Sequence, residues 1–434
     1  MGLFLALLLG SAALNAHAAP AERDTFVSFS QFLTDTNKVS YAGFETTSVA
    51  SEAAFKEIHG HILKMYSGIK NPQKIQSFAL DDDYGDCIPI SEQPSVHLQG
   101  IKELAPPPAA GNGNATDSPS IDGGQLQGAP SMLSLGLKDR FGNAVQCPAG
   151  TIPMQRLTAE RLTRFKNLTD FFRKPNPDEL DDRKISRRAL PHSYARVTDT
   201  VTNFGGNSWL NLWQPSAYFS ISQHWYVVNV PHQTVEGGWT VNRQKWDGKP
   251  RLFIFWTPDD YATGCWNLDC SGFVQTNNNW HLGGPWSPVS TRDGTQYGFT
   301  LQWKLYRGNW WLFLAGSGSI EAVGYYPASI YKNGPITQKA DFAKWGGEVA
   351  ADSSGSFGEM GSGKFPSEGF GRAAYQQTVF TLPKDEDGGS GVWAKLQSLH
   401  ITKASCYSIK TTPNDGGSWG SYFYFGGPGG SGCA

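Results

Sequence analysis

The chain has 434 residues, with 36 Lys and Arg against 38 Asp and Glu, a formal net charge of −2 and a pI near 6.5. Without clustered positive charge it gains nothing from phosphates or an anionic surface, so neither a nucleic acid nor a membrane is expected as a partner. Fifty glycines and 13% aromatic residues beside 17% charged ones argue for short aromatic strands joined by many turns, and against long helices.

The opening stretch, MGLFLALLLGSAALNAHAAP, carries a short apolar run and then Ala16-His17-Ala18, an A-x-A cleavage signature. No Lys or Arg precedes the run, which departs from the usual pattern, but the run is too short to span a bilayer and nothing later is long enough. Residues 1–18 therefore read as a signal peptide, and the protein as secreted and extracellular. SEAAFKEIHGHILKMY then places Phe55, Ile58 and Ile62 at helical spacing and stops before Gly68, which predicts a helix. Residues 105–130, APPPAAGNGNATDSPSIDGGQLQGAP, read as a linker or loose surface loop. TAERLTRFKNLTDFFRK, with Leu162, Phe165, Leu168 and Phe172, predicts a second helix. Asn114-Ala-Thr and Asn167-Leu-Thr are glycosylation acceptors.

All 15 tryptophans fall between Trp209 and Trp419, which marks a domain boundary ahead of them. The border segment DDRKISRRALPHS holds Arg183-Lys184 and Arg187-Arg188 in a charged stretch where proteolytic nicking is easy. It is either a solvated loop or a processing site. A cut at Arg187-Arg188 would leave residues 19–188 as a smaller α+β pro-domain and residues 189–434 as the mature domain.

Beyond the border the period changes to two. SWLNLWQ, YFSISQHWYVV, TVEGGWTV, RLFIFWT, GFVQTN, QYGFTLQWKLY, NWWLFLA and YQQTVFTL alternate or run apolar between Gly, Pro, Asn and Asp. Many short strands without intervening helices predict an antiparallel two-sheet β-sandwich. The six cysteines, Cys87, Cys147, Cys265, Cys270, Cys406 and Cys433, suit disulfides in an exported chain. Cys265 and Cys270 would close a small loop, and Cys406 with Cys433 would tie down the C-terminus. The partnering of Cys87 and Cys147 stays open.

The ordered series SISQHWYVVN, VEGGWTV, PRLFIFWTPDDYATGCWNLDCSGFVQTN, GNWWLFLAG, VGYYPASIY, WGGEV, EMGSGKFPSEGFGRAAY and YFYFGGPGGSGC resembles the neprosin family of secreted glutamic peptidases. NPQKIQS, DCIPISEQPSVHL and CPAGTIPMQR resemble the activation peptide of that family, so the likeness runs through most of the chain from about residue 55. The resemblance implies a β-sandwich with two catalytic glutamates facing each other across a cleft, Glu236 in TVEGGW and Glu348 in WGGEV. Glu321, in SIEAVGYYP, is the rival for the second role. It also implies cleavage after proline in peptides rich in Pro and Gln, by an enzyme made as a zymogen with its own pro-segment as inhibitor.

Strand alternation adds a reading independent of family. Val235, Trp239 and Val241 share one face and leave Glu236 on the other, while Trp345 and Val349 likewise oppose Glu348. Two carboxyl groups hydrolyse a peptide bond when one, ionised, takes a proton from water and the other, protonated, polarises the carbonyl and then protonates the leaving nitrogen. Held close they do not both ionise easily, so one pKa should rise and activity should be highest in acid. Which glutamate is base and which is acid is open at this point. Gln223, Trp225, Trp239, Gln275 and Tyr297 are candidates for contacting an extended peptide.

No H-E-x-x-H and no paired Cys or His set at ligand spacing occurs, so no metal or other cofactor is expected. GEMGSGKF ends in Phe365 where a phosphate loop needs Ser or Thr, and no G-x-S-x-G elbow is present. A sandwich glycosidase with paired carboxylates, and a non-catalytic sandwich that binds sugar or peptide, are the rival readings. The protein is expected as a monomer.

Overall fold

A computed structural model describes residues 26–80, 83–112, 131–132, 137–174, 191–414 and 417–433. The expected signal peptide, Asn114, and the dibasic pairs Arg183-Lys184 and Arg187-Arg188 lie outside the described residues. Among the described residues no helix is long and apolar enough to cross a membrane.

In the N-terminal half, Ser28 and Ser51 accept from backbone amides of the first turn and so start α1 (Phe29–Thr36) and α2 (Glu52–Tyr66). α2 buries Phe55, Ile58 and Ile62, the stripe that its spacing predicts. α3 (Pro94–Gln99) opens on a proline, whose missing N–H costs nothing there. The predicted helix over 158–174 is instead two short ones, α4 (Ala159–Leu162) and α5 (Leu168–Phe172). The reason is local. The Thr163 hydroxyl donates to Ala159 O, and Asn167 Oδ1 accepts from Asp170 N, so a side chain opens a new helix in mid-pattern.

Strands β1 (Ser77–Ala79) and β2 (Tyr84–Pro89), the two-residue strands β3 (Ser131–Met132), β4 (Leu137–Lys138) and β5 (Ala144–Val145), and β6 (Thr151–Gln155) complete this half. β1, β2 and β6 form one antiparallel sheet, stapled by a Cys87–Cys147 disulfide. Arg156 forks onto both carboxylate oxygens of Asp86 beneath it, at 2.6 and 2.8 Å.

The C-terminal half comprises β7 (His192–Asn203), β8 (Gly205–Asn211), β9 (Phe219–Asn229), β10 (His232–Asn242), β11 (Arg251–Thr257), β12 (Cys265–Trp266), β13 (Val274–Gln275) and β14 (Tyr297–Tyr306). It continues with β15 (Asn309–Ala315), β16 (Glu321–Tyr326), β17 (Ala340–Ala350), β18 (Ala374–Thr381), β19 (Val392–Trp393), β20 (Ser398–Ile401), β21 (Ser408–Thr412) and β22 (Tyr422–Gly426). One sheet has seven strands in the order β12-β11-β10-β9-β17-β7-β20. The other has the path β13-β16-β15-β14-β8-β18-β22-β21, with β19 paired to β18 and β3 laid parallel on β14.

The two sheets stack as a sandwich. Val235, Trp239 and Val241 of β10 and Trp345 and Val349 of β17 meet Leu301, Trp303 and Leu305 of β14 and Trp310, Leu312 and Leu314 of β15 in one core. Tyr226 stacks on Trp310 across the layers, and Trp239 donates Nε1–H to Asn211 O of β8. His224 also points inward, bonded to Ser208 and Tyr226, and burial drives its pKa down to about 3, so it is a neutral core group.

Candidate active site

The seven-stranded sheet's outer face carries both glutamates. β9 runs between β10 and β17, so Glu236 and Glu348 stand on strands that do not pair with each other. Glu236 is level with Trp225, and Glu348 with Ile221. Gln223 lies between these two levels, flanked by Gly238 on β10 and Gly346 on β17. These two glycines are the cleft-facing members of their pairs. A Cβ at Gly238 would sit 2.0 Å from Ser222 O, and one at Gly346, whose φ is +145°, would sit 2.4 Å from Ala195 O. Gly237 and Gly347 face the sandwich interior, against Trp303 and against Met360 and Phe425.

Both carboxylates are fully buried. Glu236 Oε1 accepts from Tyr261 OH at 2.6 Å and Thr234 Oγ1 at 2.8 Å. Glu348 Oε1 lies 2.6 Å from His192 Nδ1 and accepts from Tyr194 OH at 3.3 Å. Each acid therefore has one oxygen anchored by the sheet or a neighbouring loop. The other oxygen of each faces Lys174, whose Nζ is 2.5 Å from Glu236 Oε2 and 3.6 Å from Glu348 Oε2. Since a single nitrogen reaches both, the two Oε2 atoms are no farther apart than these distances laid end to end. Gln223, with its amide oxygen turned inward, accepts from the same nitrogen at 3.1 Å. Trp225, Phe255 and Tyr261 surround the ammonium with ring centroids 5.7, 5.8 and 5.9 Å away.

Burial pushes the Glu348 carboxyl up, but Lys174, His192 and Tyr194 together pull it below the ordinary carboxylate range. The rise expected of two isolated neighbouring carboxyls is thus reversed for Glu348 while an ammonium stands between them.

Among the residues proposed from sequence to contact substrate, Gln223 and Trp225 are in this cleft and three are elsewhere. Trp239 points into the sandwich core, as the alternation that faces Glu236 outward requires. Gln275, on β13 of the other sheet, gives its amide to Asn277 O and Trp280 O. Tyr297 begins β14 of that sheet and pairs with β3. Glu321, the alternative acid, is on β16 of the other sheet, bonded by Asn277, Asn279 and Trp280. Asn167 spends its oxygen on capping α5. Disulfides join Cys265 to Cys270 and Cys406 to Cys433. Sequence reasoning missed Lys174, His192, Tyr194, Thr234 and Tyr261. Thr234 shares a face with Glu236 by alternation, and His192 and Tyr194 share one with each other, but nothing local says that β7 lies beside β17.

The neprosin family model matches residues 216–428, from just before β9 to just after β22, and so includes both glutamates. Two solved structures of scytalido-glutamic peptidase, one with a transition state analog inhibitor and one with a peptide based transition state analog, show a slight likeness. They are 11% and 9% identical, with TM-scores of 0.29 and 0.28, and each match covers 55% of this chain and 98% of the other.

Proposed function

We propose, taking residues 216–428 as a neprosin domain, that the chain is the zymogen of a secreted glutamic endopeptidase that cuts peptide bonds after proline in acid, with Glu236 and Glu348 as its dyad. The observation that carries this reading is the convergence of two buried carboxylates on one nitrogen, and that nitrogen belongs to the N-terminal half. Lys174 occupies the point where a water and a scissile carbonyl would be handled. A peptidase that must not act before secretion gains latency from such a contact.

Once Lys174 leaves, the two free oxygens face a shared space. Glu348, whose Oε1 lies 2.6 Å from His192 Nδ1 and whose pKa His192 and Tyr194 lower, is suited to stay ionised and take the proton of the attacking water. Glu236, held by two neutral hydroxyls, is suited to carry the proton. It polarises the carbonyl oxygen as water oxygen bonds to the carbon, and a proton then passes to the nitrogen as the C–N bond breaks. Gln223, freed from the ammonium, can turn its amide N–H toward the developing oxyanion. The walls of Trp225, Phe255 and Tyr261 suit a proline ring as well as a lysine stem.

The disulfides favour a removable pro-segment. Cys87–Cys147 lies wholly in the N-terminal half and the other two bridges wholly in the C-terminal half, so no bridge would hold the halves together after a cut at Arg187-Arg188. The contacts between halves include apolar packing and neutral hydrogen bonds, and beside them a buried ion pair and a histidine. Arg161 forks onto Asp269 at 2.8 Å through both terminal nitrogens, and His61 Nε2 donates to Asp269 O.

The test is to acidify the purified full-length chain with a proline-containing peptide and, separately, a polysaccharide panel. Mass spectrometry should find the N-terminal half released and the peptide cut after proline. Sugar release, or an intact peptide after release, would overturn the assignment.

A further inference from the structure

We infer that the outer face of the ten-stranded sheet, on the far side of the sandwich from Glu236 and Glu348, is a second binding site for proline-rich polypeptide. In the intact chain this site is filled by the chain's own residues 105–112. The inference rests on the reading that the N-terminal half is released.

The outer face of a sandwich sheet ordinarily meets water and is polar. This one is aromatic. On β14, β15 and β16, Lys304 stands opposite Trp311, and Trp311 opposite Tyr325, whose rings are 4.7 Å apart. Phe313 and Val274 extend the patch, and Gln302 lies two residues along β14 from Lys304. Trp311, Phe313, Tyr325 and Gln302 are nonetheless all buried, with Val96, Ile101, Ala105, Ala110 and Gly111 of the N-terminal half packed or bonded on this face, while Lys304 donates to Gly388 O of the C-terminal half's own loop.

The covering strap is APPPAAGN, in neither helix nor sheet through Gly111. Its backbone is read at both ends. Ala105 N donates to Tyr325 OH, and Gly111 exchanges two hydrogen bonds with the Gln302 amide, its N–H to Oε1 at 2.7 Å and its C=O from Nε2 at 2.8 Å. Ala109 N donates to Asp387 Oδ1, and Asn112 bonds through its N–H and C=O to Gly389 and Gly391. Between Ala105 and Ala109 stand three prolines, which have no N–H to leave unsatisfied. Pro108 and Gly111 are buried and Ala105 is half-buried, whereas Pro106, Pro107 and Ala109 are exposed. Apart from the half-buried Ala110, burial recurs at every third residue, which is the period of a polyproline II helix.

An aromatic floor, a side-chain amide that grips backbone and an occupant with a three-residue period are the parts by which proline-rich ligands are recognised. Their contacts to the strap are mostly to backbone, so the site tolerates other proline-rich sequences. Removing the N-terminal half would bare a contiguous aromatic patch, a surface that marks an interaction site when it is large. A proline-rich protein held there would raise the local concentration of its other segments at the cleft.

The full-length chain is acid-processed, its fragments are separated by size exclusion, and the C-terminal fragment is titrated at neutral pH with the peptide ELAPPPAAGN. A control peptide has the three prolines replaced by Gly and Ser, and mass spectrometry checks that both stay intact. The proline peptide should bind at least about tenfold tighter than the control, and Gln302→Ala should weaken it about tenfold while leaving cleavage of a short peptide unchanged. Equal binding of the two peptides, or none, to a cleanly separated fragment overturns the inference alone. Fragments that never separate overturn it together with the zymogen reading, and the chromatogram distinguishes the cases.

Discussion

Glu236 and Glu348 stand on strands that never touch, yet Lys174 Nζ lies within 3.6 Å of an oxygen of each. An ammonium buried against two carboxylates is stable only while its partners remain, and breaking such an arrangement costs about 3–5 kcal/mol because uncompensated charge stays behind. Lys174→Met is therefore expected to leave two unneutralised carboxylates under the N-terminal half and to loosen its docking. On the proposed function, uncut variant protein should cleave a short proline peptide in mild acid, where the uncut wild-type chain should be silent. Equal latency of the two would show that Lys174 is not what blocks the site.

The dyad itself is tested by Glu236→Gln and Glu348→Gln. Each keeps the shape of the side chain and removes its proton chemistry, so turnover should fall by about 10²–10⁴ or more while secretion and folding persist. Glu321→Gln should be neutral, since Glu321 lies on the other sheet, tied to Asn277, Asn279 and Trp280. Near-normal turnover in Glu348→Gln would remove the second acid from the mechanism.

The sequence made some of this architecture legible and hid the rest for physical reasons. Alternation in β10 and β17 is a local property, and it placed Glu236 and Glu348 on the face opposite Val235, Trp239, Trp345 and Val349. The same parity rule already set Trp239 against a cleft role. Sheet membership is not local, which is why Gln275 and Tyr297, on plausible strands, belong to the other layer. β7 was not visible as a strand because its buried positions include Arg196 and Asp199 and its far end is exposed threonine and valine. The helix over 158–174 matched in period but broke at Asn167, where a capping side chain outweighs the apolar spacing. Lys174 lies 62 residues from Glu236 in a segment with no chemical signature of its own, so only the folded chain reveals the contact.

Assigning Glu348 as base makes His192 a positioning residue, with a signature in the pH profile. The imidazole nitrogen 2.6 Å from Glu348 Oε1 favours the carboxylate when it is protonated, and Tyr194 assists from the paired position on β7. Removing that imidazole, one of the groups that lower Glu348, should raise the pKa of Glu348 in the processed enzyme. The acid limb of kcat should then move to higher pH in His192→Gln, by about one unit for 1.4 kcal/mol of lost stabilisation. A uniform loss of kcat with an unmoved acid limb would indicate a packing role only.

His61 offers a switch for the docked state. Burial lowers its pKa, outweighing the Asp269 carbonyl and carboxylate that raise it, with Lys64 lowering it further. The Asp269 carboxylate is already engaged by Arg161, and the buried Lys245, pushed down to about 7, donates nearby to Phe171 O. The undocked histidine protonates more readily than the docked one. Docking therefore weakens as pH falls below the ordinary histidine value of about 6.5 and levels off once the lowered docked pKa is passed. Glu348 adds in the same direction, because a depressed carboxylate contributes stability that is lost as pH falls through its own lowered value. His61→Gln should keep a neutral donor to Asp269 O and shift the release midpoint, followed by size exclusion after an engineered cut between the halves, to lower pH. The midpoint should not vanish, since the lowered Glu348 still contributes. A midpoint identical to wild type would remove His61 from the switch.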